Sequence, residues 1–423
     1  MAEIQPLRAV RYALDRVPSL AAVISPPYDV SDPVLRAALL ARTPLNIIAA
    51  DLADDRQAPL EHRYDHAAVL LREWFTGGVL VRDPAPALWL LEQRFPGPDG
   101  QPLTRRGVFA RVRVSDYGPG RIRPHERTHP AAVADRLQLT RATHTDLSPV
   151  FALHDDTGGA VTGLLGPVFA ATPPDAAALD DEGTEHRLWR VGDLAVTAAL
   201  QEALTDRELL IADGHHRYEA ARRYARERPE DEGAQYVLML LVAAQDPGLV
   251  VHPTHRLVRF GGDPGRRERL LALLHRHFAV TTIARDALRP DPAAGPLPLG
   301  FLDGADGQAH RCVLRTQAIA DAAMPGEPAA YRALDTAVLQ ALLLTGALGM
   351  TQDQIDRREG LDYARSDAEA VALVDDGSFD AAFFLRASPV AQVQAVAKAG
   401  VNMPAKSTSF APKVPTGLLL SPL

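Results

Sequence analysis

Between residues 146 and 287 the chain alternates short apolar runs with stretches of helical spacing, in the order SPVFALH, LWRVGD, AVTAALQEAL, ELLIADGHHR, YVLMLLVAA and RRERLLALLHRHF. A short apolar run fits a strand buried in a sheet, and apolar residues three and four apart fit a helix with one buried face. Alternation of the two confines this part of the chain to an α/β layer. The residues before it mix helices such as DPVLRAALLAR with strands such as PALWLLEQRF and RGVFARVRVSDY, and read as α plus β. Beyond the linker-like DALRPDPAAGPLPLG come an amphipathic helix, YRALDTAVLQALLLTGAL, a buried strand, AAFFLRA, and another helix, PVAQVQAVAKAG. The expected fold class is mixed α/β (α+β), in three sections at residues 1–145, 146–287 and 288–423. That division suits 423 residues at roughly 100 to 200 residues per domain.

Composition removes several function classes. A net charge of −8 and an isoelectric point near 6.0 argue against nucleic acid as the main partner. The single cysteine, Cys312 in AHRCVLRT, excludes an intrachain disulfide framework, a Cys-rich zinc site and a CxxC redox pair, and is expected in a strand. The opening MAEIQPLRAVRYALD lacks the apolar core of a signal peptide, and VLMLLVAA is too short to span a bilayer, so a cytoplasmic protein without a membrane partner is expected.

The stretch ELLIADGHHRYEAARRYARER carries the densest chemistry. Leu209, Leu210 and Ile211 form a short buried run, and from Arg217 onward Ala220, Ala221, Tyr224 and Ala225 recur at helical spacing until Pro229. Gly214 lies between the two, where a chain can turn sharply and its backbone can approach a ligand. A strand-to-helix corner points the first N–H groups of the helix and its positive dipole end outward, a natural seat for phosphate. An ordinary helix cap is the bland reading of Asp213. Five consecutive residues without an apolar side chain, Asp213 to Arg217, favour the functional one.

Other polar clusters are RIRPHERTHP with His125, Glu126 and His129, DRLQLTRATHTDLSPVF with Asp135 and Arg136, ISPPYDV with Tyr28 and Asp29, HPTHRLV, and GVNMPAKSTSFAPK with Lys406 and Lys413. Zinc is disfavoured: no HExxH occurs, Pro124 and Pro130 bracket His125 and His129, and the adjacent His215 and His216 point in different directions. Mg2+ accompanying phosphate is the more plausible metal. Neither a Walker loop nor a GxSxG elbow is present.

DGHHRYEA resembles the nucleotide-phosphate corner of the ParB and sulfiredoxin superfamily, through Gly214, Arg217 and Ala221. Sulfiredoxins place a reactive cysteine directly after that glycine, where this chain has His215. The free serine kinases of the same superfamily, with an acid-glycine-histidine-histidine-arginine run, are the nearer resemblance. Through PPYDV, PHERT, DRLQLTRAT, SPVF, ADGHHRYEAA, PTHRLV and MPAKST...PK...GL the whole chain resembles the bacterial domain-of-unknown-function family numbered 1015. Its KSTSFAPK carries Ser409 and Ala411 where relatives tend to have aromatics.

The resemblance implies a ParB/sulfiredoxin-like nucleotide-binding core with additional N- and C-terminal sections. It also implies a nucleotide-dependent phosphotransferase whose acceptor is a small hydroxylated metabolite, free L-serine first. ATP or ADP is the expected cofactor, with CTP as the alternative, together with Mg2+. Phosphoryl transfer needs positioning and charge neutralisation above all. Gly214, Arg217 and Lys406 are therefore expected on the phosphates, and His215 and His216 on the transferred group. Asp213 is expected to serve as base or as metal ligand, with Glu126 as the second carboxylate. Tyr28, Asp29, His125 and Arg136 are expected to line the substrate. A nucleotide-binding regulatory switch and a metal-assisted hydrolase built on His125, Glu126, His215 and His216 are the alternatives.

Overall fold

The computed structural model describes residues 3–53, 62–205 and 207–423. Two compact units divide the chain. The first comprises Met1–Pro124, Thr128–Val250 and Pro412–Leu423, and the second His125–Arg127 and Val251–Ala411.

Nine strands of the first unit form one sheet. They are β1 (Ile4–Gln5), β2 (Leu88–Pro96), β3 (Pro102–Arg113), β4 (Ile122–Arg123), β5 (Val150–His154), β6 (Ala176–Leu179), β7 (Glu185–Val191), β8 (Leu209–Asp213) and β9 (Tyr236–Ala243). Their order is β4-β8-β5-β9-β3-β2-β7-β6, with β1 on β3. The β9–β5 and β8–β4 pairs are parallel and the other pairs antiparallel. Leu88, Leu90, Val108, Ala110, Val150, Ala152, Leu209, Ile211, Met239 and Leu241 alternate along their strands and supply one core, as period-2 side chains on one sheet face must. Every residue of β9 is buried, which is why YVLMLLVAA reads as a continuous apolar run.

Three helices matter to the site and its surroundings: α1 (Pro130–Thr143), α2 (Ala160–Ala171) and α3 (His215–Glu227). Proline at the first position of α1 is favourable, because the N–H it lacks has no helical partner there. The last twelve residues return to the first unit. Ser421 and Pro422 pair with Asp146 and Thr145, the Leu420 N–H donates to the Val10 carbonyl, and the Leu423 N–H donates to that of His144.

In the second unit a sheet of six strands is antiparallel throughout, in the order β11-β13-β12-β15-β10-β14. These are β10 (His255–Val258), β11 (Phe278–Ile283), β12 (Pro298–Asp303), β13 (Ala309–Leu314), β14 (Leu361–Ala364) and β15 (Ala381–Phe384). Cys312 lies buried in β13, its thiol pushed up to about 12 by burial. The proline-rich stretch read as linker-like joins β11 to β12, which both pair with β13, so it is a connection inside one sheet. YRALDTAVLQALLLTGAL is not one helix either. It forms short helices at Ala329–Arg332 and Asp335–Val338 and a π-helix at Leu339–Ala347. Leu342, Leu343 and Leu344 are all buried, more than a single 3.6-residue stripe accommodates. Among the described residues no helix is long and apolar enough to cross a membrane.

Asp146 shows what burial in the first unit costs. Its Oδ2 accepts the Leu238 N–H at 2.8 Å, and burial pushes its carboxyl up to about 7, against smaller opposing effects of that bond and of Arg111 and Arg217. The folded state therefore takes up a proton that the unfolded chain releases near pH 4. Stability is lost as pH rises between about 4 and 7. Asp146→Asn should gain roughly 2 kcal/mol over the parent at pH 8 and almost nothing at pH 4, as read from urea denaturation at the two pH values.

Candidate functional site

Strand β8 ends where the corner begins. Leu209 and Ile211 point into the core, and strict alternation would send Asp213 the same way. Instead the register with β5 slips between Ile211 and Asp213. The extra residue, Ala212, makes a β-bulge, a device that re-aims the side chains beyond it. Asp213 is left at the rim with its side chain 20% exposed. Gly214 follows at φ 92°, a left-handed conformation that side chains disfavour. A Cβ there would also lie 3.0 Å from the Arg217 guanidinium. Helix α3 then starts at His215, two residues earlier than the apolar spacing suggests. With glycine as N-cap, no side chain caps its first turn, and the positive end of a 13-residue helix faces the corner.

Arg217 folds back over Gly214. Its Nη2 donates to Asp213 Oδ2 at 2.8 Å, and its Nη1 donates to Ser148 Oγ at 2.6 Å and to the Pro149 carbonyl. Its Nε is buried without a hydrogen-bond partner among the described residues. The other Asp213 oxygen, Oδ1, accepts from Lys413 Nζ at 3.1 Å. Burial alone would raise the Asp213 carboxyl, but Lys413 and Arg217 hold it well below the usual carboxylate range.

Lys413 is itself anchored. Gln93 Nε2 donates to the Lys413 carbonyl at 3.1 Å, and Arg105 Nη2 donates to the Pro412 carbonyl at 2.6 Å. Gln93 and Arg105 face each other across β2 and β3, where Arg105 Nε also donates to Gln93 Oε1 at 3.0 Å. Arg105 is almost wholly buried, lies over the Phe151 ring at 4.6 Å, and is lowered to about 9 by burial, so it stays charged near neutrality. Asp246 and, more weakly, Asp213 act on it electrostatically.

The other expected residues fall into separate groups. His215 is buried in the first turn. The N–H of His129, the N-cap of α1, donates to His216 Nε2 at 3.0 Å, so that ring nitrogen is engaged between two helix starts. Tyr28 lies in a 3-10 turn, Tyr28–Val30, with the Arg136 guanidinium 4.1 Å from its ring centroid. Burial raises its phenol, with Arg136, Asp29, Arg217 and Asp213 acting on it in turn. Tyr28 thus stands in the electrostatic field of the corner. Asp29 is exposed in the same turn. Arg136 donates to Asp51 Oδ1 at 2.7 Å, to the Asp51 carbonyl at 3.0 Å and to Asp135 Oδ2 at 2.6 Å.

His125, Glu126 and Lys406 belong to the second unit. Glu126 Oε1 accepts the Lys406 N–H at 3.0 Å, the Met403 N–H donates to the His125 carbonyl at 2.7 Å, and His125 Nε2 lies 2.8 Å from Thr408 Oγ1. Lys406 sits at φ 55°. The buried Arg256, lowered to about 10 by burial, donates to the Ala405 and Lys406 carbonyls and fixes the same turn. Among the described residues no group of three or more His, Cys, Asp or Glu side chains is arranged to hold a metal.

The family described as "Protein of unknown function (DUF1015)" matches residues 4–337. The chain belongs to this family. Lys413, which pairs with the corner of this DUF1015 protein, lies beyond the matched residues. No curated protein sequence matches the chain. Its structural neighbours include a conserved hypothetical protein from Pyrococcus furiosus, 15% identical, covering 74% of this chain and 95% of that one at a TM-score of 0.36. A free serine kinase variant in complex with AMP is 13% identical, with 74% and 92% covered and a TM-score of 0.37. SbnI with a C-terminal truncation, from Staphylococcus aureus, is 14% identical, with 73% and 85% covered and a TM-score of 0.38.

Proposed function

We propose that the corner binds the phosphates of a nucleotide, ATP or ADP, and that the protein passes a phosphoryl group from it to a small hydroxylated metabolite. The observation that carries this reading is the charge at the corner. Lys413, Arg217 and Arg105 act on the carboxylate of Asp213, beside the glycine-capped start of α3. Positive charge exceeds negative charge there, and a phosphate would redress the balance. The acid-glycine-histidine-histidine-arginine run, which resembles that of free serine kinases, makes free L-serine the first acceptor to test.

In this reading Lys413 and the start of α3 neutralise the phosphates. Arg217 is chiefly a positioning residue, because two of its three nitrogens hold Asp213, Ser148 and Pro149 and its Nε is buried. The acceptor hydroxyl oxygen bonds to the terminal phosphorus as the bridging P–O bond breaks, the shortened nucleotide leaves, and the hydroxyl proton is released. Asp213, strongly acidic beside two cations, is a weak base. It orients the hydroxyl by accepting its hydrogen bond, which suits a loose transition state needing little prior deprotonation. A resident Mg2+ does not fit Asp213, since each of its oxygens already meets a cation; Mg2+ would arrive with the nucleotide's phosphates. The same occupancy favours, as a second reading, a nucleotide switch that binds without transferring.

Lys413→Ala tests the phosphate assignment. Removing one charge-assisted contact should weaken nucleotide binding by about 1.5–3 kcal/mol, read by calorimetric titration of ATP and ADP into protein whose thermal unfolding shows it folded. Unchanged affinity would remove Lys413 from the site.

A further inference from the structure

We propose that the first unit holds a second ligand site, a cavity between its sheet and α2 that takes a small, mostly apolar molecule carrying one hydroxyl donor, phenol being the simplest representative. The cavity has a volume of about 250 Å3, and about 150 Å3 is enough to hold benzene. Val161, Leu165, Leu241 and Ala243 supply apolar wall, and Thr104, Arg106, Thr162 and Asp246 line the cavity as well. Gly166 of α2 also lines it, and a Cβ built there meets no atom within 4 Å.

The polar group that selects the ligand is His154, at the opposite end of β5 from Ser148 and only 1% exposed. Its Nδ1 lies 3.4 Å from the Asp155 carbonyl oxygen. A proton on Nδ1 directed at that oxygen leaves Nε2 as a lone-pair acceptor. No hydrogen bond from a described residue reaches Nε2. Burial holds the imidazole below its usual range, so it is neutral near pH 7. A ligand hydroxyl would donate to that nitrogen while its ring fills the apolar space. This site is independent of the phosphate reading of the corner.

The test titrates the full chain with phenol and with toluene, by calorimetry and by methyl NMR of the leucines. Phenol should bind at one saturable site and shift the Leu165 and Leu241 methyl signals. Gly166→Leu should abolish that binding in protein whose thermal unfolding shows it folded, since leucine finds room there although a Cβ before Pro167 is disfavoured in a helix. His154→Leu should weaken phenol about tenfold and leave toluene nearly unchanged, the worth of one neutral hydrogen bond. Absence of saturable phenol binding, or binding that survives Gly166→Leu, would overturn the site. Equal loss of phenol and toluene in a folded His154→Leu protein would overturn the role of the imidazole.

Discussion

Asp213→Asn is expected to keep nucleotide binding, or tighten it, while lowering phosphoryl transfer about 100-fold, the cost of misplacing the acceptor hydroxyl that Asp213 orients. The amide removes the negative charge that Lys413 and Arg217 share at the corner, so more of their attraction is left for phosphate. It also places an N–H2 group against one of the two cations, which should lower stability by about 1–3 kcal/mol. Paired measurements of nucleotide affinity and of phosphate transfer on the same preparation separate the two effects. Parallel loss of both would mean that Asp213 merely holds the corner together.

Arg136→Ala is expected to destabilise the protein by about 3–5 kcal/mol, the cost of breaking a buried ion pair from one side. Its guanidinium satisfies Asp51, which is 3% exposed, together with Asp135, and it covers the ring of Tyr28. Because its donors are spent inside the protein, we assign Arg136 to holding the Tyr28 turn rather than to touching substrate. The urea midpoint reports the loss. A change under about 1 kcal/mol would show that Asp51 is relieved in some other way.

The corner was legible because local chemistry writes it: an apolar run stops at an acid, a glycine follows, and helical spacing resumes. The sequence places the helix start two residues late, since His215 and His216 break the apolar stripe while Gly214 still caps the turn. Lys413 could be noticed but not placed. Its pairing with Asp213 spans 200 residues and depends on a carboxyl-terminal return held by Gln93 and Arg105, a pairing that no local pattern carries. The tandem leucines of the π-helix and the prolines between β11 and β12 misled for the opposite reason. Their local signals are strong, and the packing around them overrides it.

The most direct measurement follows labelled terminal phosphate from ATP and from ADP into serine and a panel of related hydroxylated metabolites. The parent protein is expected to yield a phosphorylated metabolite, and Asp213→Asn about 100-fold less of it. Nucleotide hydrolysis at one rate with or without every metabolite, unchanged in Asp213→Asn, would contradict it and leave the nucleotide switch as the reading that stands.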